Sequence, residues 1–390
     1  MTAEQSAALA LCPATVRFGA DADAALAALC ADTSVRRVLL VHGRHSFAAS
    51  GAQAWLAPLA AGREIAHFDA VRPNPTVEAV QACAAAIDAF APDVLLAVGG
   101  GSALDTAKAA RHVLACGGAA TAARDVLAGR AGAPAAYRLA AMRWIAAPTT
   151  AGTGSEVTHF AAVYVDGIKH SLADPSMRPE QAWVQPCLLA SLPHATTVAA
   201  GLDALTQAIE SAWSVGSDEA SRAQSMAALR LAWPALPAAA AGDAAAQRSM
   251  ALAATLAGLG IDHAKTTACH ALSYTMTARW GVDHGVAVAL TLAPMLRLNA
   301  ATTAENCIDP RGPAHVHRVI DAIVAVIGGP EAWTARLRAL GVDPDPAAHG
   351  VVGTEALAEV AGSVNLQRLR NNPRRLSDAD LRACLSGPGS

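Results

Sequence analysis

A single change of periodicity near Pro193 divides the chain. Before it, short apolar runs alternate with alanine-rich helical stretches: Val38 to Val41, a helix, Val94 to Val98, a helix beginning near Ser102, then Trp144 to Ala147, which stops at Pro148. Strands alternating with helices predict a parallel sheet covered by helices. Phe160 to Val165, stopping at Asp166 and Gly167, has hairpin character. Past Pro193 the strand-like runs cease, and Ala199 to Trp213, Ser221 to Trp233 and Ala268 to Arg279 carry helical spacing. The reading is an α/β domain over residues 1–193 followed by an all-α domain over residues 194–390, since a chain of 390 residues exceeds one ordinary core. Gly117 to Tyr137, rich in Ala and Gly, reads as a loop or frayed helix, and Ala238 to Ala246 as an exposed connection between helices.

Charge narrows the classes of function. Charged residues make up 16% of the chain and the formal net charge is −3, with no basic run interleaved with aromatics, so neither nucleic acid nor an anionic membrane is an expected partner. Eight cysteines lie scattered without a CxxC pair, as reduced thiols do. No charge-free apolar stretch reaches the roughly 18 residues of a spanning helix, and the N-terminus lacks a basic segment followed by an apolar one. A cytoplasmic protein is expected.

Two segments can hold a polar cofactor. Gly99-Gly100-Gly101-Ser102 follows an apolar strand and leads into the helical start Ala103 to Lys108. Glycines let backbone amides approach a pyrophosphate, and a helix N-terminus adds unpaired donors and a positive dipole end. The GxGxxG spacing is absent because position 104 is Leu, so alone the segment is also compatible with an ordinary strand-to-helix turn. Pro148-Thr149-Thr150-Ala151-Gly152-Thr153-Gly154-Ser155-Glu156 is a second loop of small residues directly after a strand, equally readable as a solvated, capping turn. Two such loops after neighbouring strands point to one dinucleotide at the carboxyl edge of the sheet.

These segments, with Pro73-Asn74-Pro75-Thr76 upstream, resemble the fingerprint segments of iron-containing alcohol dehydrogenases in the family's order and spacing. The resemblance implies a Rossmann-like dinucleotide-binding domain, a helical metal-binding domain, an active site in the cleft between them, and a homodimer. It implies that Asn74, Gly99, Gly100, Gly101, Ser102, Asp105, Thr149, Thr150 and Thr153 line the cofactor, with Lys169 nearby. NAD-preferring members carry an Asp after the first strand, where this chain has Gly43 and Arg44. Loss of the carboxylate relieves repulsion of a 2′-phosphate and a guanidinium pairs with it, so NADPH is expected over NADH.

The same resemblance assigns four metal positions, Asp, His, His, His, to Asp203, Gln207, His270 and His284. Asp203 and Gln207 are four apart and share a helix face. Gln207 departs from the family pattern, and an amide oxygen is a poorer donor to Fe(II) or Zn(II) than imidazole. Asp203, His270 and His284 still make a carboxylate and two-imidazole set with open positions. One turn after His270, where many relatives have another histidine, stands Tyr274, read either as a hydrogen-bond donor in the pocket or as packing.

Within the family, Ala268 to Tyr274, Leu205 to Trp213 and Asn371 to Leu376 look most like the phosphonate-associated branch. That implies reduction of phosphonoacetaldehyde to 2-hydroxyethylphosphonate. A phosphonate dianion needs charge-assisted donors, and Lys265, just before His270, is the first candidate, ahead of Arg279 and the Arg374-Arg375 pair. Two alternatives stay open: a dehydrogenase for an uncharged alcohol, aldehyde or polyol, and a nucleotide-binding protein whose metal site has decayed.

Overall fold

The structure, a computed structural model, describes residues 1–117, 123–127, 142–165, 168–364 and 369–386. They form two compact units, Cys12–Pro193 and a second that joins Met1–Leu11 to His194–Ser390.

The first unit is built on six parallel strands in the order β1-β8-β5-β4-β2-β3, with a separate antiparallel hairpin β6-β7. The strands are β1 (Val16–Phe18), β2 (Arg37–His42), β3 (Glu64–Phe68), β4 (Val94–Gly99), β5 (Arg143–Pro148), β6 (Phe160–Val165), β7 (Ile168–Ala173) and β8 (Gln181–Val184). Central strands of a parallel sheet are covered on both faces, and β4 accordingly buries all six of its residues. Alternate side chains serve two cores. Leu39, Val41, Leu95, Ala97, Trp144 and Ala146 belong to one, Val38, Leu40, Leu96, Val98, Ile145 and Ala147 to the other.

Helices of this unit are α2 (Ala20–Ala31), α3 (Arg44–Ala49), α4 (Ala52–Leu56), α5 (Val77–Phe90), α6 (Gly101–Ala115) and α7 (Ala123–Leu127), the label α1 belonging to Ala3–Leu9 of the other unit. α5 and α6 pack on each other over one sheet face. The expected strands around 38, 94, 144 and 160 lie within β2, β4, β5 and β6. The short strands β1, β3 and β8 carry no run long enough to have been read from sequence. Apart from Gly117 and α7, the stretch read as a loop or frayed helix lies outside the described residues.

The second unit is helical: α8 (His194–Trp213), α9 (Glu219–Ala240), α10 (Ala244–Ala264), α11 (Ala268–Trp280), α12 (His284–Leu290), α13 (Leu292–Ala300), α14 (Pro313–Ile327), α15 (Pro330–Ala339), α16 (Gly353–Gly362) and a last helix, Asp378–Leu385. α8 is its axis, packed by α9, α10, α12 and α14 and buried continuously from Gly201 to Trp213. The stretch read as an exposed connection, Ala238 to Ala246, is mostly helix: only Ala241 to Asp243 separate α9 from α10. One boundary is corrected. The first eleven residues, read with the α/β domain, pack instead as α1 against α9 and α10.

Candidate cofactor and metal sites

In the α/β unit the two glycine-rich loops leave adjacent strands β4 and β5 and interlock. A Cβ on Gly100 would stand 3.2 Å from Thr150 Cγ2, and one on Gly101 would stand 2.8 Å from Thr153 Cγ2. Gly99 holds φ +154°, and a Cβ there would meet that of Ala103 at 2.8 Å. Side chains at Gly100 and Gly101 would separate the loops, and one at Gly99 would press on the first turn of α6, which explains the glycines. No side chain caps α6 at Gly100, so its first amides are presented as an anion-binding helix end.

Asn74 takes the left-handed conformation at φ +59° and donates its amide to Ser102 Oγ at 3.3 Å. Pro75 O accepts from Tyr164 N at 2.7 Å, and Tyr164 is paired with Lys169 across β6-β7, so the hairpin is tied to the same edge. Asp105 works on the loop: its two oxygens accept from Ser155 Oγ at 2.6 Å and Ala162 N at 2.8 Å. One turn on, fully buried Lys108 donates to Ser155 Oγ, Thr158 Oγ1 and Phe160 O at 2.8–2.9 Å. A buried ammonium needs acceptors on all sides, and these three come from the end of the second loop and the segment that follows it. Lys108 was legible only as the end of a motif; its partners are some fifty residues away in sequence.

Gly43 ends β2 and bridges to Ala70, which brings Asp69 beside Arg44. Arg44 donates to both oxygens of Asp69, at 2.9 and 3.3 Å. With 71% and 39% of the side chains exposed, the pair is a weak, separable one. Behind it His42 Nε2 lies 2.9 Å from His67 Nδ1, with the His42 ring stacked on Phe47 and its pKa lowered by burial.

In the helical unit, α8 brings Asp203, Gln207 and Glu210 onto one buried stripe, and α11 and α12 bring His270 and His284 to it. Ligand atoms of Asp203, His270 and His284 all lie within 4.8 Å of one another. α12 comes this close because Gly285 has no side chain: a Cβ there would fall 1.8 Å from Ala199 O. Gln207 Oε1 is buried and has no hydrogen-bond partner among the described residues. An orphaned acceptor one helical turn from Asp203, on the same face of α8, fits a divalent cation.

Around these donors runs a network that sequence reasoning missed. Glu210, wholly buried, accepts from Thr267 Oγ1 at 2.6 Å and Cys269 N at 2.7 Å through Oε1, while Oε2 lies against His270 Nδ1. Trp213 Nε1 donates to Thr267 Oγ1 at 2.9 Å. His270 Nε2 is 3.3 Å from Asp203 Oδ1. Burial pulls the His270 imidazolium down, but the Glu210 and Asp203 carboxylates outweigh it and push the pKa up to about 9. Burial likewise pushes the Glu210 carboxyl up, and His270, Thr267 and Cys269 N–H together hold it below the usual range. The available signal was spacing, since 203, 207 and 210 recur on one helix face.

Tyr274 stacks on His284 with ring centroids 6.0 Å apart, which puts it at the metal group. Lys265 is not brought there. It caps α10 at φ +64°, its amide donating to Ile261 O at 2.9 Å, while the residue is exposed and its side chain makes no hydrogen bond or ion pair among the described residues. Arg279 pairs with Glu359 at 3.4 Å, and Arg374 is held by the carbonyls of Leu298 and Ala301. All eight cysteines are free thiols, and no helix among the described residues is long and apolar enough to cross a membrane.

Comparison with known proteins agrees with this division. A family model described as iron-containing alcohol dehydrogenase matches residues 13–186, and one for the C-terminal part of that family matches residues 197–386. The phosphonoacetaldehyde reductase of Streptomyces viridochromogenes is 40% identical over 334 residues, 80% of this chain and 83% of that protein. The lactaldehyde reductase of Escherichia coli is 33% identical over 64% of each chain. Among solved structures, the sulfoacetaldehyde reductase of Bifidobacterium kashiwanohense in complex with NAD+ superposes with a TM-score of 0.81 at 28% identity, covering 96% of both chains.

Proposed function

Because this chain belongs to the iron-containing alcohol dehydrogenase family, an oxidoreductase family using NAD(P) and a divalent metal, we propose that it reduces phosphonoacetaldehyde to 2-hydroxyethylphosphonate, preferring NADPH. The observation that carries the substrate is the 40% identity to a reductase of that aldehyde, sustained over 83% of its length. The sulfoacetaldehyde reductase fold adds a second relative whose small aldehyde carries an anionic group.

Asp203, His270 and His284 would hold the ion, Fe(II) or Zn(II), and the unpartnered Gln207 Oε1 would be a fourth donor. When bound, the ion polarises a carbonyl and the nicotinamide is a hydride source. The protein's own work is positioning. The interlocked loops with Thr149, Thr150, Thr153 and Ser102 bind the dinucleotide, Asp105 and Lys108 keep them in register, and Tyr274, stacked on His284, is a proton-bearing side chain for the product alkoxide. At the outer edge, Gly43 presents no carboxylate to repel a 2′-phosphate, and Arg44 has only to leave the exposed Asp69 to reach it. We also read the chain as a cytoplasmic homodimer, which eight free thiols and its family favour.

A second reading, an uncharged aldehyde as substrate, is favoured by the 33% identity to lactaldehyde reductase and by the exposed position of Lys265. NADPH oxidation at 340 nm with phosphonoacetaldehyde, propionaldehyde and lactaldehyde, before and after chelation and reloading with Fe(II) or Zn(II), separates the two. Metal-dependent preference for the phosphonate is the expected result. Efficient turnover of the uncharged aldehydes alone would remove the phosphonate, and equal efficiency with NADH would remove the cofactor preference.

A further inference from the structure

We infer that Glu210 is a positioning residue that decides which nitrogen of His270 is offered to the metal. The inference rests on the reading of Asp203, His270 and His284 as a metal group. It starts from the number of acceptors Glu210 supplies. Thr267 Oγ1 and Cys269 N both donate to Oε1, so that oxygen is engaged at 2.6 and 2.7 Å. Oε2 is left for His270 Nδ1. A carboxylate only accepts, so Nδ1 must carry the proton. Nε2, on the opposite edge of the ring and 3.3 Å from Asp203 Oδ1, then presents its lone pair to the point where the ligand atoms converge.

The same carboxylate fixes where the ring stands. Cys269 N is an amide of the first turn of α11, and Thr267 is its N-cap residue, whose side chain caps nothing on its own helix. Glu210 therefore replaces the missing cap from another helix, its negative charge at the positive end of α11, and His270 is the next residue. Trp213, one turn farther along α8, donates to Thr267 Oγ1, which directs the Thr267 hydroxyl proton to Glu210. A chain from indole to hydroxyl to carboxylate to imidazole thus ends on a ligand nitrogen. All four side chains are buried, so water does not substitute for any of them.

Glu210→Gln is the discriminating change because it keeps the shape and alters one atom's role. The amide has one acceptor oxygen, needed by Thr267 and Cys269 N, and turns an NH2 donor toward His270. Nδ1 must then accept, the ring proton moves to Nε2, and the ligand lone pair is lost. Zinc affinity, measured by competition with a chromophoric chelator, is expected to fall on the order of 10–100-fold in Glu210→Gln. Thr267→Val removes one donor and leaves both carboxylate oxygens, and should cost less than about tenfold. In zinc-loaded wild-type protein, 15N-edited histidine spectra should show His270 protonated at Nδ1, a readout independent of any variant's folding.

Unchanged zinc affinity in Glu210→Gln would overturn the inference, as would equal losses in both variants, which indicate packing of α11 rather than the tautomer. An Nε2-protonated His270 in the zinc-loaded wild type would overturn it as well. Wild-type protein that binds no zinc would instead bring down the metal reading itself, together with what rests on it.

Discussion

Gln207 stands where the family resemblance implies a histidine ligand, and on the proposed metal reading its local chemistry indicates what the change does. Its Oε1 is buried without a partner among the described residues, a state that costs roughly 1–3 kcal/mol unless something accepts the lone pair. A divalent cation does so, but less strongly through an amide oxygen than through imidazole. Gln207→His is therefore expected to raise zinc affinity by on the order of tenfold or more. Gln207→Ala should lower it, while relieving the orphaned acceptor in the metal-free protein. Chelator competition on both variants checks this, and a fall in affinity with His would mean that position 207 does not face the ion. Asp203, His270 and His284 are assigned to a metal only by the family resemblance, and the fold brings their ligand atoms within 4.8 Å of one another. Glu210 could not be read from sequence, because its role depends on Thr267, Cys269 and His270, which reach it only when α11 packs on α8. Lys265 shows the converse: a suggestive neighbour in sequence that a left-handed cap leaves in solvent.

At the level of elements, both sites depend on close approach at a glycine. β4 and β5 are long apolar runs ending in glycine or proline, so their position was legible. The interlocking of the loops that follow them was not, since it requires Thr150 and Thr153 to lie over Gly100 and Gly101. The edge strand β1, three residues long, and β3, with only Phe68 buried, lack the apolar run by which a strand is recognised. Gly101→Ala would push Thr153 Cγ2 from 2.8 Å and part the loops. Dinucleotide affinity, followed by NADPH fluorescence, should fall by at least about tenfold, or about 1.4 kcal/mol, with zinc affinity unchanged. Gly285→Ala should do the reverse. Its Cβ meets a backbone carbonyl at 1.8 Å, which cannot rotate away, so α12 must shift and carry His284 with it. A stability loss of about 1–3 kcal/mol and weaker zinc binding are expected, with NADPH binding retained.

Over the whole molecule, the change of periodicity near Pro193 marks where one unit gives way to the other, but it conceals the return of the N-terminus to the helical unit. Residues 1–11 are alanine-rich and carry no signal of which core they join. The answer lies in tertiary contacts. α1 spans seven residues, too short to be stable alone in water, and is closed by a capping box between Thr2 and Gln5. Gln5 Nε2 then donates to Ser249 Oγ on α10 at 2.9 Å, Ala8 is buried, and Gln224 Nε2 on α9 donates to Leu11 O at 3.1 Å. These two long-range bonds, at about 0.5–1.5 kcal/mol each, suggest a contribution of about 1–3 kcal/mol to the helical unit. Deletion of residues 1–11 should therefore lower the denaturation midpoint of zinc-loaded protein. NADPH affinity should stay at the wild-type value, because every residue proposed to hold the dinucleotide lies in the other unit. Loss of NADPH binding on deletion would mean that the N-terminus serves the α/β unit, and an unchanged midpoint would mean that α1 is ornamental to a core which α8, α9 and α10 already complete.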